Sequence, residues 1–218
     1  MSVMMLIGTG PGIGFATAER FARDGFRVIM CGRNVERLAS FAADLAERGH
    51  DVEALQLDAS DVSAVSDAVT DIYRKHGRLD VLLYNAAAMR QATIESQPLD
   101  TFVPDLATNI GGALAAIQAA FGLMSEQGAG TILLTGGIFS VAPNFDYLSL
   151  GMGKAALLNV NQALFEPFRQ KNVHIATVTV AALVAPGSTT ATQIAEQFWS
   201  LHSAPREEWV DNVVYRET

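Results

Sequence analysis

The sequence predicts an α/β fold, in which a doubly wound parallel sheet lies between two layers of helices. Short apolar runs typical of β-strands alternate with longer segments of helical periodicity along the chain. The runs are almost continuously apolar, as are parallel strands that are buried on both faces. The first run leads directly into a glycine-rich turn that opens a helix. From the length of 218 residues, we expect one three-layer αβα domain over residues 1–218.

The predicted strands are the runs VMMLI, FRVIMC, VEALQL, DVLLY, TILLT and VHIATVTV, near 3–7, 26–31, 52–57, 80–84, 131–135 and 173–180. Helical periodicity between them predicts helices near 13–24, 34–48, 61–76, 99–126 and 148–170. A last helix near 190–201 and a short strand near 212–216 complete the order. Right-handed crossovers then wind the helices onto both faces of the sheet. The segment APGSTT, at 185–190, predicts a surface loop.

Composition excludes several classes of function. The formal net charge of -8 would repel a polyanion, so we expect no nucleic-acid partner. We expect no membrane association either, because no apolar stretch is both long enough and free enough of glycine and charge. The four histidines are scattered without metal-ligand spacing, so no metal site is predicted. The single cysteine, Cys31, lies in an apolar run and fits a buried strand residue in a reducing, cytoplasmic compartment.

The turn IGTGPGIGFATAERF follows the first predicted strand and opens the first helix. Gly8, Gly12 and Gly14 allow a tight turn, a close approach to a pyrophosphate and close packing of the helix on the strand. Ile13 lies between the last two glycines, where a helix N-terminus offers free amides and positive potential to phosphates. Because the glycines stand in a strand–turn–helix context, they predict a dinucleotide-binding site.

The end of the second strand indicates which dinucleotide binds. Folds of this kind usually keep an acidic residue there for the ribose 2′-hydroxyl, whereas this chain has Gly32 followed by Arg33. An acidic residue would repel a 2′-phosphate, and an arginine can bind one through two N–H groups. We therefore favour NADP(H) over NAD(H). The alternative for Arg33 is a solvated arginine at a helix start.

Further segments carry a resemblance to a known family. LDAS contains Asp58, and LATNIGGAL contains Asn109 within the fourth predicted helix. Together with the Gly-xxx-Gly-x-Gly turn, they resemble short-chain dehydrogenases/reductases over nearly the whole chain. The resemblance implies a Rossmann-type fold and an adenine contact for Asp58. For Asn109 it implies an interruption of helical hydrogen bonding that holds a water of a proton relay.

The fourth strand departs in part from the family pattern. LDVLLYNAAA is similar to the family's Asn-Asn-Ala-Gly segment, with Asn85 and Ala86 retained. Tyr84 stands in place of the first asparagine, and Ala87 in place of the glycine. The resemblance then implies the loss of one amide that ties neighbouring strands, and less room beside the cofactor at Ala87.

The catalytic end departs further. In this family a tyrosine transfers the proton that accompanies hydride transfer, and a serine polarises the substrate carbonyl. A lysine holds the nicotinamide ribose and lowers the tyrosine pKa by its charge. The usual spacing is Tyr-xxx-Lys. If Lys154 is that lysine, Leu150 occupies the tyrosine position and Gly137 the serine position.

Tyr147 offers another spacing, in the segment YLSLGMGK. Residues 147 and 154 are seven positions apart, about two helical turns and roughly 10 Å, so the pair share one helix face. Tyr-x6-Lys is similar to the spacing in divergent short-chain reductases, among them enoyl-thioester reductases, in which the serine is missing too. We therefore predict Tyr147, Lys154 and Asn109 as the catalytic residues.

The resemblance to the divergent branch is incomplete. The glycine turn keeps the ordinary spacing, and the aromatic residue that the branch places upstream has no clear match, with Phe139 nearby. Reduction of a carbonyl and of an activated alkene both stay open. Ser140 and Thr135 are candidates for a substitute hydroxyl donor, although a loop serine and a strand-end threonine need no such role.

The segment after the sixth strand is expected to carry the backbone past the nicotinamide amide. The family's Pro-Gly is either replaced by the alanines at 181–182 or displaced to 186–187. Val184 is the candidate backbone contact. Little chain remains for a lid before the last helix, which predicts a small or open pocket.

Two functions stay open. One is an NADP(H)-dependent oxidoreductase with a small-molecule substrate, and the other is a dinucleotide-binding protein without turnover, as an NADP(H) sensor or assembly partner. Lys154 and Asn109 favour the enzyme, and Gly137 and Leu150 favour the binding protein. Alanine-rich faces on the helices near 99–126 and 148–170 allow close packing, and the resemblance implies a homodimer or homotetramer through them.

Overall fold

A seven-stranded parallel sheet forms the centre of the computed structural model, which describes residues 1–217. The strand order is β3-β2-β1-β4-β5-β6-β7, and every neighbouring pair is parallel. The strands are β1 Val3–Ile7, β2 Arg27–Gly32, β3 Val52–Gln56, β4 Val81–Tyr84, β5 Gly130–Gly137, β6 Val173–Ala181 and β7 Asn212–Arg216. The order reverses between β1 and β4, which in open α/β sheets is the point where ligands bind.

Helices cover both faces of the sheet, as the hydrophobic pattern predicts. They are α1 Ile13–Arg23, α2 Val35–Glu47, α3 Val62–His76, α4 Phe102–Leu106, α5 Gly112–Gln127, α6 Leu148–Arg169 and α7 Thr189–Ser203. In β1 the side chains of Val3, Met5 and Ile7 pack toward α3, α5 and α6, and those of Met4 and Leu6 pack toward α1, α2 and α7. Since strand side chains alternate between faces, an almost wholly apolar strand supplies both cores.

The predicted elements agree with the structure to within two residues, with one exception. The helix predicted near 99–126 is not continuous. It consists of a 3₁₀ turn at Leu99–Thr101, α4, a π-helical segment at Ala107–Gly111 and then α5. Pro104 and the adjacent Gly111 and Gly112 are the local signals of this interruption, because proline and glycine weaken regular helical pairing.

The stretch Leu99–Gln127 corrects the expectation that nothing in the chain could span a bilayer. An 18-residue window within this 29-residue stretch has a mean hydropathy of 1.4, so length and composition alone would permit a span. In the structure the π-helical segment divides it, and α5 packs on α3 while Ala113, Ala116 and Ala120 enter the core. A core helix passes the same test, because burial in a protein selects apolar residues as a bilayer does.

Tyr84 explains how closely α5 approaches the sheet. Its ring is fully buried at the end of β4, and its hydroxyl donates to the carbonyl of Thr108 at 2.5 Å. A Cβ at Gly112 would lie 2.7 Å from that hydroxyl and 2.0 Å from the carbonyl oxygen of Ala59. Glycine is therefore required at 112. Where the family has an asparagine that ties strands, Tyr84 instead ties β4 to the π-helical segment.

The substitution Gly112→Ala is expected to lower the free energy of unfolding by about 1–3 kcal/mol, because the backbone of Ala59 cannot move aside. Gly122→Ala is the matched control on the same helix, where an added Cβ meets nothing within 4 Å. It is expected to raise the free energy of unfolding by up to about 1 kcal/mol through helix propensity. Urea unfolding measures both, and equal changes would contradict the close packing at Gly112.

Candidate active site

The glycine turn packs directly against the end of β4. Gly8 has a φ of +96°, and a Cβ there would lie 2.3 Å from the amide nitrogen of Ala86. A Cβ at Gly14 would lie 2.9 Å from Cα of Thr9. Both glycines are thus required by close contact, and the first also by its left-handed backbone. The structure brings the predicted residues Gly8, Gly14, Asn85 and Ala86 together.

The N-terminus of α1 is available for a ligand. Gly12 precedes the helix without any side-chain cap, and Ile13 is its first residue. By contrast, α2, α3 and α7 each begin with a side chain that accepts a backbone N–H, from Asn34, Asp61 and Ser188. The first amides of an uncapped helix have no intrahelical partners and carry positive potential. They suit the phosphates of a dinucleotide.

A continuous chain of hydrogen bonds links the glycine turn to Lys154. The Asn85 side-chain amide donates to the carbonyl of Gly8 at 2.7 Å. The hydroxyl of Thr135, in β5, donates to Oδ1 of Asn85 at 2.8 Å. The Lys154 ammonium then donates to the backbone carbonyl of Thr135 at 2.6 Å. These bonds cross the carboxyl ends of β1, β4 and β5, so they hold the predicted cofactor turn and the predicted catalytic lysine in one frame.

Lys154 is buried, with 9% of its surface exposed. Burial lowers the pKa of its ammonium group from 10.5 to about 8, because a charged amine loses hydration inside the protein. Its aliphatic chain runs past Gly137, where an added Cβ would lie 3.3 Å from Cγ of Lys154. A larger residue at Gly137 would therefore press on the lysine.

The two positions that depart from the family pattern carry no polar side chain in the structure. Gly137 has no side chain, and Leu150 is an apolar residue with 5% of its surface exposed on α6. The Thr135 hydroxyl, suggested as a substitute donor, donates to Oδ1 of Asn85 in this structure. Within residues 1–217, the Ser140 hydroxyl is buried and makes no hydrogen bond.

Tyr147 lies immediately before α6, in a non-helical conformation with φ of -135° and ψ of 49°. Its carbonyl accepts the amide of Gly151 at 2.8 Å, so the residue joins the first turn of the helix. Its ring stacks on that of Phe139, with centroids 5.4 Å apart and an angle of 23° between planes. Phe139 therefore supports Tyr147 from the loop after β5, a contact that no sequence spacing indicates.

Asn109 occupies the π-helical segment, where the resemblance implied an interruption of the helix. Its Oδ1 accepts the amide of Ala88 at 2.7 Å, and its amide group donates to the carbonyls of Ala88 at 3.3 Å and Ser149 at 3.4 Å. A Cβ at Gly153 would lie 2.5 Å from Cβ of Asn109. Asn109 thus joins the loop after β4 to the first turns of α6.

The other end of the cleft contains Arg33 and Asp58. The amide and hydroxyl of Ser60 donate to Oδ1 of Asp58 at 2.9 and 2.8 Å. The backbone bond from Ser60 is the main cause that lowers the pKa of the Asp58 carboxyl, and the charge of Arg33 contributes. Arg33 is exposed and lines a cavity of about 360 Å³ together with Ser60 and Thr108.

Val184 lies over the glycine turn. A Cβ at Gly12 would be 3.5 Å from Cγ1 of Val184 and 3.8 Å from its carbonyl oxygen. The strand β6 ends at Ala181 and α7 begins at Thr189, so residues 182–188 form the connection that carries Val184.

Sequence reasoning missed a charged cluster that binds Ser149, two residues after Tyr147. The buried carboxylate of Asp105 accepts hydrogen bonds from the side chains of Arg90, Gln97 and Ser149. These residues follow no spacing rule, because they come from a loop and two different helices. No group of three or more His, Cys, Asp or Glu residues suited to a metal ion occurs among residues 1–217.

The sequence and the fold of this chain are similar to those of known proteins. A family model described as short chain dehydrogenase matches residues 2–200. The uncharacterized oxidoreductase YxjF of Bacillus subtilis is 35% identical over 131 residues, which are 60% of this chain and 51% of YxjF. The matched part thus spans about half of that relative. The 7alpha-hydroxysteroid dehydrogenase of Bacteroides fragilis is 24% identical over 189 residues, 85% of this chain and 73% of that protein.

Solved structures share the fold over the whole chain. A short-chain dehydrogenase from Rhodopseudomonas palustris superimposes with a TM-score of 0.91 at 24% identity, covering 100% of this chain and 99% of the other. A metagenomic short-chain oxidoreductase in complex with NADP has a TM-score of 0.92 at 22% identity, covering 100% and 97%. At these identities the likeness concerns the fold.

Burial of Lys154 predicts a dependence of stability on pH. Its folded pKa of about 8 lies below the ordinary 10.5, so between these values the unfolded chain binds a proton that the folded chain releases. The free energy of unfolding is therefore expected to rise with pH over this range, by up to about 3 kcal/mol. Below pH 8 the full penalty for the buried charge remains.

Lys154→Met removes the titrating group and keeps an unbranched apolar side chain. Urea unfolding of both proteins from pH 7.5 to 10.5 gives the difference in unfolding free energy, which cancels the titration of other residues. The free energy of unfolding of Lys154→Met is expected to exceed that of the unaltered protein at pH 7.5, and this difference is expected to decrease as pH rises. A difference that stays constant with pH would show that Lys154 titrates normally.

Proposed function

The chain belongs to the short-chain dehydrogenase family, and on that premise we propose that it is an NADP(H)-dependent oxidoreductase. It transfers a hydride to a carbonyl or an activated alkene of a small substrate. The catalytic and cofactor-binding parts lie in one domain over residues 1–218. The observation that carries the proposal is the hydrogen-bond chain from Gly8 to Lys154, which joins a phosphate-binding turn to a buried lysine.

The residues of the cleft fit a dinucleotide. The uncapped start of α1 would hold the phosphates, the missing Cβ at Gly12 leaves room between the turn and Val184, and Asp58 would accept from the adenine amino group. Asn85 and Ala86 hold the turn in place. The bound cofactor supplies the hydride. The protein then has to orient both reactants and provide one proton.

In this proposal Lys154 binds the cofactor ribose and Tyr147 donates the proton. The Lys154 ammonium, held at the Thr135 carbonyl, would bind the nicotinamide ribose hydroxyls. Its charge favours the ionised form of a nearby tyrosine. Tyr147 donates a proton from its hydroxyl to the substrate, and stacking on Phe139 limits the motion of its ring. Asn109 holds the intervening backbone of Ala88 and Ser149.

Preference for the phosphorylated cofactor follows from Arg33. The residue is exposed, lines the cavity beside Asp58, and is preceded by Gly32 where an acidic side chain would repel a 2′-phosphate. Its guanidinium binds the 2′-phosphate through two N–H groups. A neutral Gly32 removes the acidic competitor for that position.

The lack of a hydroxyl at Gly137 leaves the substrate open between a carbonyl compound and an activated alkene. The ring of Phe139 stacks on that of Tyr147, next to the position where the substrate would receive its proton. Activated alkenes such as enoyl thioesters are therefore tested together with simple carbonyl compounds.

The missing polar side chains at 137 and 150 also support a second candidate function. Gly137 and Leu150 leave the two usual polar positions without a functional group, which is what a dinucleotide-binding protein without turnover would tolerate. Such a protein would sense NADP(H) or assist an assembly. Measured turnover separates it from the enzyme.

The proposal includes a cytoplasmic homodimer or homotetramer, without a nucleic-acid or membrane partner. Leu114 on α5 and Met152 on α6 are exposed apolar residues, 43% and 47% accessible, on the two helices with alanine-rich faces. Pairing two copies through these helices would cover both side chains. The free thiol of Cys31 is buried and its pKa is raised by burial, so it stays unreactive.

Arg33→Ala is expected to raise the dissociation constant for NADPH about ten- to a hundredfold and to leave that for NADH unchanged, because only NADPH carries the 2′-phosphate. Isothermal titration with each cofactor measures both constants. Arg74→Ala, which removes an exposed arginine at the far end of α3, is the matched control. An unchanged NADPH affinity in Arg33→Ala would remove Arg33 from the site.

Tyr147→Phe is expected to lower kcat by about 10²–10⁴-fold while NADPH affinity stays the same, because the proton donor is lost and the ring is kept. NADPH oxidation with a panel of carbonyl compounds and enoyl thioesters measures the rate. Tyr73→Phe, on α3, is the matched control and should keep the full rate. Full activity in Tyr147→Phe would exclude its role, and tight NADPH binding without turnover by the unaltered protein would favour the binding function.

A further inference from the structure

The buried carboxylate of Asp105 is the centre of an ionic cluster that contacts the segments on either side of Tyr147 in the chain. Asp105, on α4, has 3% of its surface exposed, and its pKa is lowered chiefly by the hydrogen bond from Arg90. Arg90 binds both carboxylate oxygens, with Nε 2.8 Å from Oδ2 and the terminal nitrogen 3.1 Å from Oδ1. Oδ2 also accepts from Gln97 at 3.1 Å and from the Ser149 hydroxyl at 2.9 Å.

The cluster joins the elements that surround Tyr147. Ser149 is the second residue of α6, two positions after Tyr147, and is almost completely buried. Arg90 belongs to the loop after β4, whose Ala92 amide donates to the carbonyl of Asp146 at 2.8 Å and pairs with Tyr147 as an isolated bridge. Asp105 therefore fastens Tyr147 on both sides, through the helix that follows it and through the loop beside it.

The second anchor of this region is Asn109, four residues after Asp105. It binds the loop at Ala88 and the α6 backbone at Ser149, the same residue whose hydroxyl binds Asp105. Ser149 is thus held at its side chain and at its carbonyl by two residues of the interrupted helix. Burying a carboxylate costs free energy unless it is fully paired, and here four hydrogen bonds compensate it.

We propose that Asp105 is a positioning residue, which fixes the Tyr147 hydroxyl relative to Lys154 by holding Ser149 and Arg90. The inference rests on the proposed function, in which Tyr147 is the proton donor. Lys154 is anchored independently, on Thr135 in β5. The first turn of α6 could therefore shift with respect to the lysine if the Asp105 bonds were lost. Because Tyr147 immediately precedes the first turn of α6, a small shift of this turn moves the tyrosine and misaligns the proton transfer.

The test uses the full chain and the mild variant Ser149→Ala, which removes a single hydroxyl. Ser149→Thr keeps the hydroxyl and is the rescue variant, and Ser63→Ala, at an exposed position on α3, is the matched control. The expected result for Ser149→Ala is a kcat lowered about ten- to a hundredfold. NADPH affinity and KM should stay within twofold, and Ser149→Thr should recover most of the rate. Asp105→Asn should give the same pattern more strongly.

Hydrogen exchange gives a readout that needs no turnover. The amides of Ala92 and Gly151 bond to the carbonyls of Asp146 and Tyr147, so they should exchange at least tenfold faster in Ser149→Ala, while amides in α7 stay unchanged. If the unaltered protein converts no substrate, the proposed function fails. The exchange data alone then decide whether Asp105 and Ser149 hold the segment around Tyr147. Unchanged kcat in an active protein, or unchanged exchange at Ala92 and Gly151, would overturn the inference. Loss of NADPH binding in step with kcat would overturn it too.

Discussion

The hydrogen-bond chain through Gly8, Asn85, Thr135 and Lys154 is the constraint on which the rest of the site depends. It crosses the ends of three adjacent strands, and each link is a short bond between groups largely shielded from water. Such bonds gain strength from low local polarity and are costly to leave unmade. The strand order, which brings β1, β4 and β5 side by side, is what makes the chain possible. Any change in that order would separate the phosphate turn from the lysine.

Two positions near these hydrogen bonds depart from the family pattern, and the packing around each accommodates the change. At the end of β4, the Tyr84 hydroxyl reaches the π-helical segment, so the tie that the family makes with an asparagine amide has been moved to another element. At the end of β5, a Cβ added at Gly137 would lie 3.3 Å from Cγ of Lys154, so the absence of a side chain there leaves room for the lysine. The Thr135 carbonyl holds its ammonium group.

Most of the fold could be predicted because its signals are local. Apolar runs, helical periodicity and the glycine turn are read from neighbouring residues, and the strands and most helices lie within two residues of their expected bounds. The continuous helix near 99–126 was wrong, because a π-helical segment divides it. The exclusion of any span-like stretch was wrong as well, although length and composition alone identify the stretch 99–127. Ala59 and Tyr84, which lie far away in the sequence, pack against the π-helical segment and the start of α5.

The sequence by itself determined the α/β class, the glycine turn between β1 and α1, and the departures from the family pattern at Gly137 and Leu150, because each is a matter of residue type and spacing. Only the tertiary structure decided that Phe139 stacks on Tyr147, that Thr135 serves Asn85, and that Asp105 holds the start of α6. These contacts join residues from separate loops, strands and helices. Their partners are chosen by the packing of helices on a shared sheet, and no local pattern in the chain records that choice.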